Sequence, residues 1–116
     1  MLDKAFIDEH KDPKWSFARI DERNMVVEVR EKVVISKYAT VGIYFYLKGS
    51  LFVDAAIDMI IANDRVNKEF YTCPTYNYCI KENAKIGIYN IDFTQMHGMG
   101  TPDDLIAYVN VLSSRR

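Results

Sequence analysis

Residues 26–46, VVEVREKVVISKYATVGIYFY, decide how this chain folds. The stretch holds two runs of β-branched and aromatic residues, the composition that fits a pleated, half-buried surface. Between the runs lie the charged pair Glu31-Lys32 and the polar connection Ser36-Lys37-Tyr38. The second run, residues 40–46 (TVGIYFY), is apolar or aromatic at nearly every position, which predicts a central strand covered on both faces. Gly42 interrupts that run. A glycine inside a central strand costs packing and entropy, so it marks either a bulge or a place where a ligand or another backbone comes close.

Toward the N-terminus, residues 14–21 (KWSFARID) set Trp15 and Phe17 against Ser16 and Ala18, the alternation of a strand. Residues 21–24 (DERN) are a tight polar turn into residues 25–30, so the two runs form a β-hairpin. Residues 1–13 are polar and weakly patterned, close on a proline turn signal, and read as an entry arm.

Toward the C-terminus, Lys48-Gly49-Ser50 ends the central strand and offers Ser50 as the N-cap of a helix over residues 51–63. That helix is apolar around most of its circumference, with Asp54 and Asp58 on the remaining strip, and should lie largely buried on the sheet. A polar loop at 64–68 leads to a second helix within 69–82. Its regular part starts near Thr72, because Pro74 fits only a first turn, and Asn83 is its left-handed stop. Residues 84–91 return to strand pattern, and 92–99 are loop. Thr101 at the N-cap, Pro102 at the first position and Asp103-Asp104 in the first turn then open a helix over 102–112, followed by a tail at 113–116.

The resulting order, ββ-β-α-α-β-α, describes one α/β domain over residues 14–112, with helices packed on a mixed sheet. A doubly covered central strand needs neighbours on both sides, and this inventory supplies too few. Either an edge is exposed, or another chain or a missing segment completes the sheet.

Composition narrows the function. The chain has 116 residues, 49% of them hydrophobic, and its 15 basic and 16 acidic side chains leave a net charge of -1. No bulk field draws it to nucleic acid or to an anionic membrane. No apolar run approaches the ~20 residues of a membrane span. Residues 1–14 lack the apolar centre of a signal peptide, so the sequence reads as cytoplasmic. Cys73 and Cys79 are six apart, outside the spacings typical of zinc sites and redox pairs, and are expected to be buried or half-buried free thiols. Eight Tyr and six Phe besides Trp15 exceed the needs of one small core. Such a load suits sugar pockets and protein interfaces alike.

His10 and His97 are far apart and belong to no metal-binding motif. His97 reads as a loop residue packed near the end of the sheet. Gly98-Met99-Gly100 lacks the phosphate-loop pattern and is either a hinge or backbone approaching a sugar. Glu31-Lys32, at a strand end, is either a solvated surface pair or a binding pair. In the second case the carboxylate accepts from two adjacent sugar hydroxyls, and the ammonium holds a phosphate.

Five blocks, KWSFA (14–18), VVEVREK (26–32), SKYATVGIYFY (36–46), RVNKEFYTCPTYN (65–77) and MHGMGTPDDL (96–105), resemble in order and spacing a known family. It is the sugar-1-phosphate nucleotidyltransferases, most closely the branch of capsule and lipopolysaccharide biosynthesis. The likeness is to the C-terminal half of their catalytic domain. It implies a portion of a nucleotide-diphospho-sugar transferase-like sheet. In the complete enzyme a sugar 1-phosphate attacks the α-phosphate of a nucleoside triphosphate, with Mg²⁺ clamping the charge. By the resemblance, Glu31 takes sugar hydroxyls, Lys32 the phosphate, Gly42 lies against the sugar and Glu69 stands near it. The family's glycine-rich nucleotide loop and first metal-binding aspartate have no counterpart here. At the aligned position of a second metal aspartate stands Gly98, so no metal ligand is expected of this chain. The expected partners are a sugar 1-phosphate and either a second copy or a missing N-terminal half.

Overall fold

The computed structural model describes residues 1–8 and 11–115, with the backbone alone at residues 2–4; His10 lies outside them. The hairpin forms as its sequence dictates. Strand β2 (Ser16–Ile20) and β3 (Val26–Glu31) pair antiparallel, with Phe17 opposite Arg30 and Ala18 opposite Val29. Asp21 makes the turn: its carboxylate accepts from the N–H groups of Arg23 and Met25 at 2.8 and 3.0 Å, and Asn24 takes the left-handed conformation.

Strand β4 (Tyr38–Tyr44) lies against β2 and is central, as its composition predicts. Its other neighbour is β1 (Leu2–Ile7), paired antiparallel. Residues 1–13, read from sequence as an entry arm, therefore carry an interior strand. Their polar surface pattern hid it, although Ala5 and Phe6 are fully buried. Strand β5 (Gly87–Asn90) runs parallel to β1 and completes the order β3-β2-β4-β1-β5. Five strands answer the shortage that the sequence inventory left. A bridge between Met25 and Gly87, with the Val26 N–H donating to the Ile86 carbonyl at 2.7 Å, brings the two edge strands together at one end and curls the sheet.

Consecutive residues on β2 face opposite ways. Phe17 joins Phe6 and Ala39 in one buried cluster, with Trp15 and Met96 against it. Ala18 joins Val26, Val29, Ala55, Tyr76, Cys79 and Ile86 in another, beneath α1 (Gly49–Ile61) and α2 (Thr75–Lys81). Asn77 fastens α2 to the edge strand β3. Its side chain accepts from the Val29 N–H and donates to the Val29 carbonyl, both at 2.8 Å, standing in for a neighbouring strand. Cys73 and Cys79 are buried free thiols.

Several expectations are corrected by packing. Helix α1 begins at Gly49 with Lys48 at its N-cap and no side-chain cap, so Ser50 does not cap it. Only Ala55 and Met59 of that helix are buried. Val53, Ile57, Ile60 and Ile61 form a stripe on the solvent side, each 49% to 78% exposed. Helix α2 starts at Thr75, with Pro74 at its N-cap, three residues later than the sequence suggested. The run 40–46 is not covered on both faces throughout, since Ile43 in β4 and Phe45 just past its end are more than half exposed. Helix α3 (Pro102–Ser114) runs into the expected tail, and Thr101 caps it by accepting from the Asp104 N–H at 3.1 Å. Among the described residues no helix is long and apolar enough to cross a membrane.

Candidate functional site

The groove is built where the hairpin ends. Glu31 closes β3 directly opposite Ser16, so both side chains project to one face. The next residue, Lys32, takes φ 59°, and its N–H donates to the Trp15 carbonyl at 3.0 Å. A left-handed lysine is a strained conformation that turns the chain sharply off the strand and leaves Glu31 as its last side chain. Across from it lie the end of β4 and residues 71–73, which lead into α2. Together they enclose a groove of about 320 Å³, whose walls include Trp15, Ser16, Glu31, Thr40, Gly42 and Tyr71.

Hydroxyl groups form one wall of this groove. The Ser16 and Thr40 hydroxyls, both on buried residues, are hydrogen-bonded to each other. The Tyr44 hydroxyl lies 3.2 Å from Ser16 and 3.1 Å from Thr40. Hydroxyls both donate and accept and can rotate, so such a cluster can serve a ligand that itself carries hydroxyls.

Gly42 sits in a β-bulge. Asp3 is the partner of Tyr44 and Ala5 of Thr40, so a two-residue step on β1 faces a four-residue step on β4. Gly42 adopts φ 82° there, and a Cβ at this position would meet nothing within 4 Å. The glycine is thus required by the bulge, and it leaves open space on the groove wall.

Burial pushes the Glu31 carboxyl above its ordinary range, and the adjacent Lys32 ammonium draws it partly back. Tyr71 joins the remaining charges. A hydrogen bond to the Glu69 carboxylate, reinforced by burial, holds the Tyr71 phenol above its usual range, and Lys32 Nζ lies 5.6 Å from the centre of its ring. Lys14 also lines the groove, with its Nζ 4.7 Å from the Trp15 ring and 4.0 Å from Asp104.

Of the four residues singled out from sequence, Glu31 and Gly42 line the groove, while Lys32 and Glu69 flank it through Tyr71. Sequence reasoning missed Lys14, Ser16, Thr40, Tyr44 and Tyr71. Ser16 did carry a signal, being a hydroxyl on the same strand face as the core residue Ala18. His97 packs against Tyr108, with ring centres 4.7 Å apart, and Gly98 is next to Trp15 and Asp104. Among the described residues no three His, Cys, Asp or Glu side chains converge as metal ligands.

No family model matches the chain, and neither does any curated protein. Among solved structures, the fold is similar to that of a nucleoside-diphosphate-sugar pyrophosphorylase from Vibrio cholerae RC9, with a TM-score of 0.84 at 21% sequence identity. The match covers 94% of this chain and 46% of that one. The architecture is thus nucleotide-sugar transferase-like, a curled mixed sheet with helices, and the chain spans less than half the length of that neighbour.

Proposed function

We propose that the groove binds a sugar 1-phosphate and that the chain is the sugar-phosphate half of a nucleotidyltransferase. That enzyme makes nucleotide-diphosphate sugars for lipopolysaccharide or capsule in the cytoplasm. The observation that carries this reading is the meeting of Glu31 with the Ser16, Thr40 and Tyr44 hydroxyls in one groove flanked by Lys32 and Lys14. Glu31 accepts from adjacent sugar hydroxyls, and the two ammonium groups face the phosphate. Gly42 leaves room for the sugar ring, and Glu69 orients Tyr71 at the edge. With no counterpart of the nucleotide loop among them, these 116 residues taken alone are catalytically silent.

Calorimetric titration with glucose 1-phosphate tests this reading, with inorganic phosphate as the control. The sugar phosphate should bind more tightly than phosphate, and Glu31→Gln and Lys32→Met should each weaken it by about tenfold. Equal affinity for the two ligands would remove the sugar from the proposal. Nucleotide transfer by these 116 residues, abolished by Lys32→Ala, would remove the claim of silence.

A second reading, a non-catalytic module that self-associates, is favoured by the apolar stripe of α1 and by Leu105, Val109 and Leu112 on α3, all exposed. The sheet edges favour it less, because Asn77 covers Val29 and Met25 bridges to Gly87. Light scattering separates the two: a strict monomer counts against self-association.

A further inference from the structure

A second hollow, of about 460 Å³, opens between α1 and α2 and shares no lining residue with the groove. Its volume lies within the usual range of small-molecule sites. The floor is apolar, with Leu51 and Ala55 from α1, Cys79 from α2 and Ala84 from the loop after it, while Leu47, 70% exposed, stands at the mouth. On the α1 wall, Asp54 and Asp58 stand one turn apart on the same side as Leu51 and Ala55, and Glu82 faces them from the end of α2. None of these three carboxylates makes an ion pair among the described residues. Tyr78 completes the wall. Its hydroxyl donates to Asp64 at 2.9 Å, and burial together with Asp64 and Asp58 raises its phenol above the usual range. The positive groups nearby are Lys85, the Met1 amino group, which is bonded to the Lys85 carbonyl at 2.8 Å, and Lys81 over the Tyr78 ring at 4.9 Å.

We propose that this hollow is a binding site for a small amphipathic cation, a ligand with an apolar body and one ammonium or guanidinium group. The body displaces water from the floor, where burial is worth about 25 cal/mol per Å² of apolar surface. The positive head lies against Asp54 and Asp58, which are exposed and therefore reach it without an added cost of burying charge. Against Asp54, Asp58 and Glu82 the lining sets Lys85 and the Met1 amino group, the latter already bonded to the Lys85 carbonyl, so an anion of the same shape would meet more like than opposite charge. This inference is independent of the sugar-phosphate reading, because the groove residues take no part in it.

The test titrates the full chain with 3-phenylpropylamine and, separately, with 3-phenylpropanoate, while NMR follows Ala55 and Ala84 in the hollow and Trp15 and Val41 at the groove. The amine should shift the first pair in a saturable way, and the carboxylate should bind at least about fivefold more weakly. Asp54→Asn with Asp58→Asn, both exposed and tolerant of change, should reduce amine affinity by a similar factor and raise that of the carboxylate. Equal binding of the two probes, or amine affinity unchanged in the double variant, overturns the assignment. So do shifts confined to the groove and an absence of saturable binding.

Discussion

The two ends of α2 serve hollows of opposite construction. The segment that leads into the helix, residues 71–73, helps to line the groove, whereas Tyr78 and Cys79 on its second half line the hollow beside α1. In the groove the polar groups are drawn inward: Ser16 and Thr40 are buried hydroxyls bonded to each other, and Glu31 is half-buried beside them. In the hollow the polar groups stay at the rim and the interior is aliphatic. A buried polar wall must be satisfied by fixed geometry, so it selects ligands by hydrogen bonds. An apolar floor with an exposed charged rim selects by shape and sign, and tolerates more variation.

The residue joining both regions is Tyr76, and its removal should have the largest effect. Tyr76 is fully buried, donates its hydroxyl to the Phe45 carbonyl at 2.9 Å, and packs its ring 5.6 and 5.0 Å from those of Tyr44 and Tyr46. Tyr76→Ala should cost about 3–5 kcal/mol of stability, read by urea denaturation, and degrade both hollows together. If one hollow survived with its ligand affinity intact, α2 would not be their common support.

Gly42→Ala should separate the two. No atom obstructs the added methyl group, so the cost is that of holding a side chain at φ 82°, about 1–2 kcal/mol. The damage should be confined to the bulge in β4, lowering sugar-phosphate affinity while amine binding beside α1 is unchanged. Wild-type stability in this variant would mean that β4 relaxes its bulge without strain.

The difference between the regions also explains what the sequence made legible. The hairpin, β4, β5 and α3 were readable because local signals agreed with tertiary packing: alternation in KWSFARID, the carboxylate of Asp21 in the turn, and Thr101-Pro102-Asp103 at a helix start. Strand β1 was not, because a strand buried by neighbours on both sides can still be short and flanked by charges, and its pairing depends on residues 38–44 and 87–90 far along the chain. Helix α1 looked buried because its apolar residues surround it. Periodicity cannot tell a core-facing stripe from an unpartnered one. At the candidate site, Glu31 and Gly42 stood out as a strand-end charge and a mid-strand glycine. Ser16, Thr40 and Tyr44 were hidden because their meeting depends on register between β2 and β4.

The smallest expected effect is the sharpest test of the contrast, because it has opposite signs in binding and in stability. Burial raises the Glu31 carboxyl in the folded chain above its ordinary value of 4.5. Between that value and the raised one, the folded state holds more protons than the unfolded state, so stability falls as pH rises through the window and levels off above it. At neutral pH the ionised Glu31 therefore carries a cost that the neutral amide of Glu31→Gln lacks. That variant should melt slightly higher at pH 7, the gain kept small because solvent screens the half-exposed carboxyl, and the gain should vanish below pH 4.5. The same substitution should weaken sugar-phosphate binding, the trade expected where a strained charge is kept for a ligand. Asp58→Asn, at an exposed carboxylate on the rim of the other hollow, should leave the melting temperature almost unchanged across this range. A matching rise for both variants would show that Glu31 is no more desolvated than a surface acid, and the groove would lose its claim to a buried polar wall.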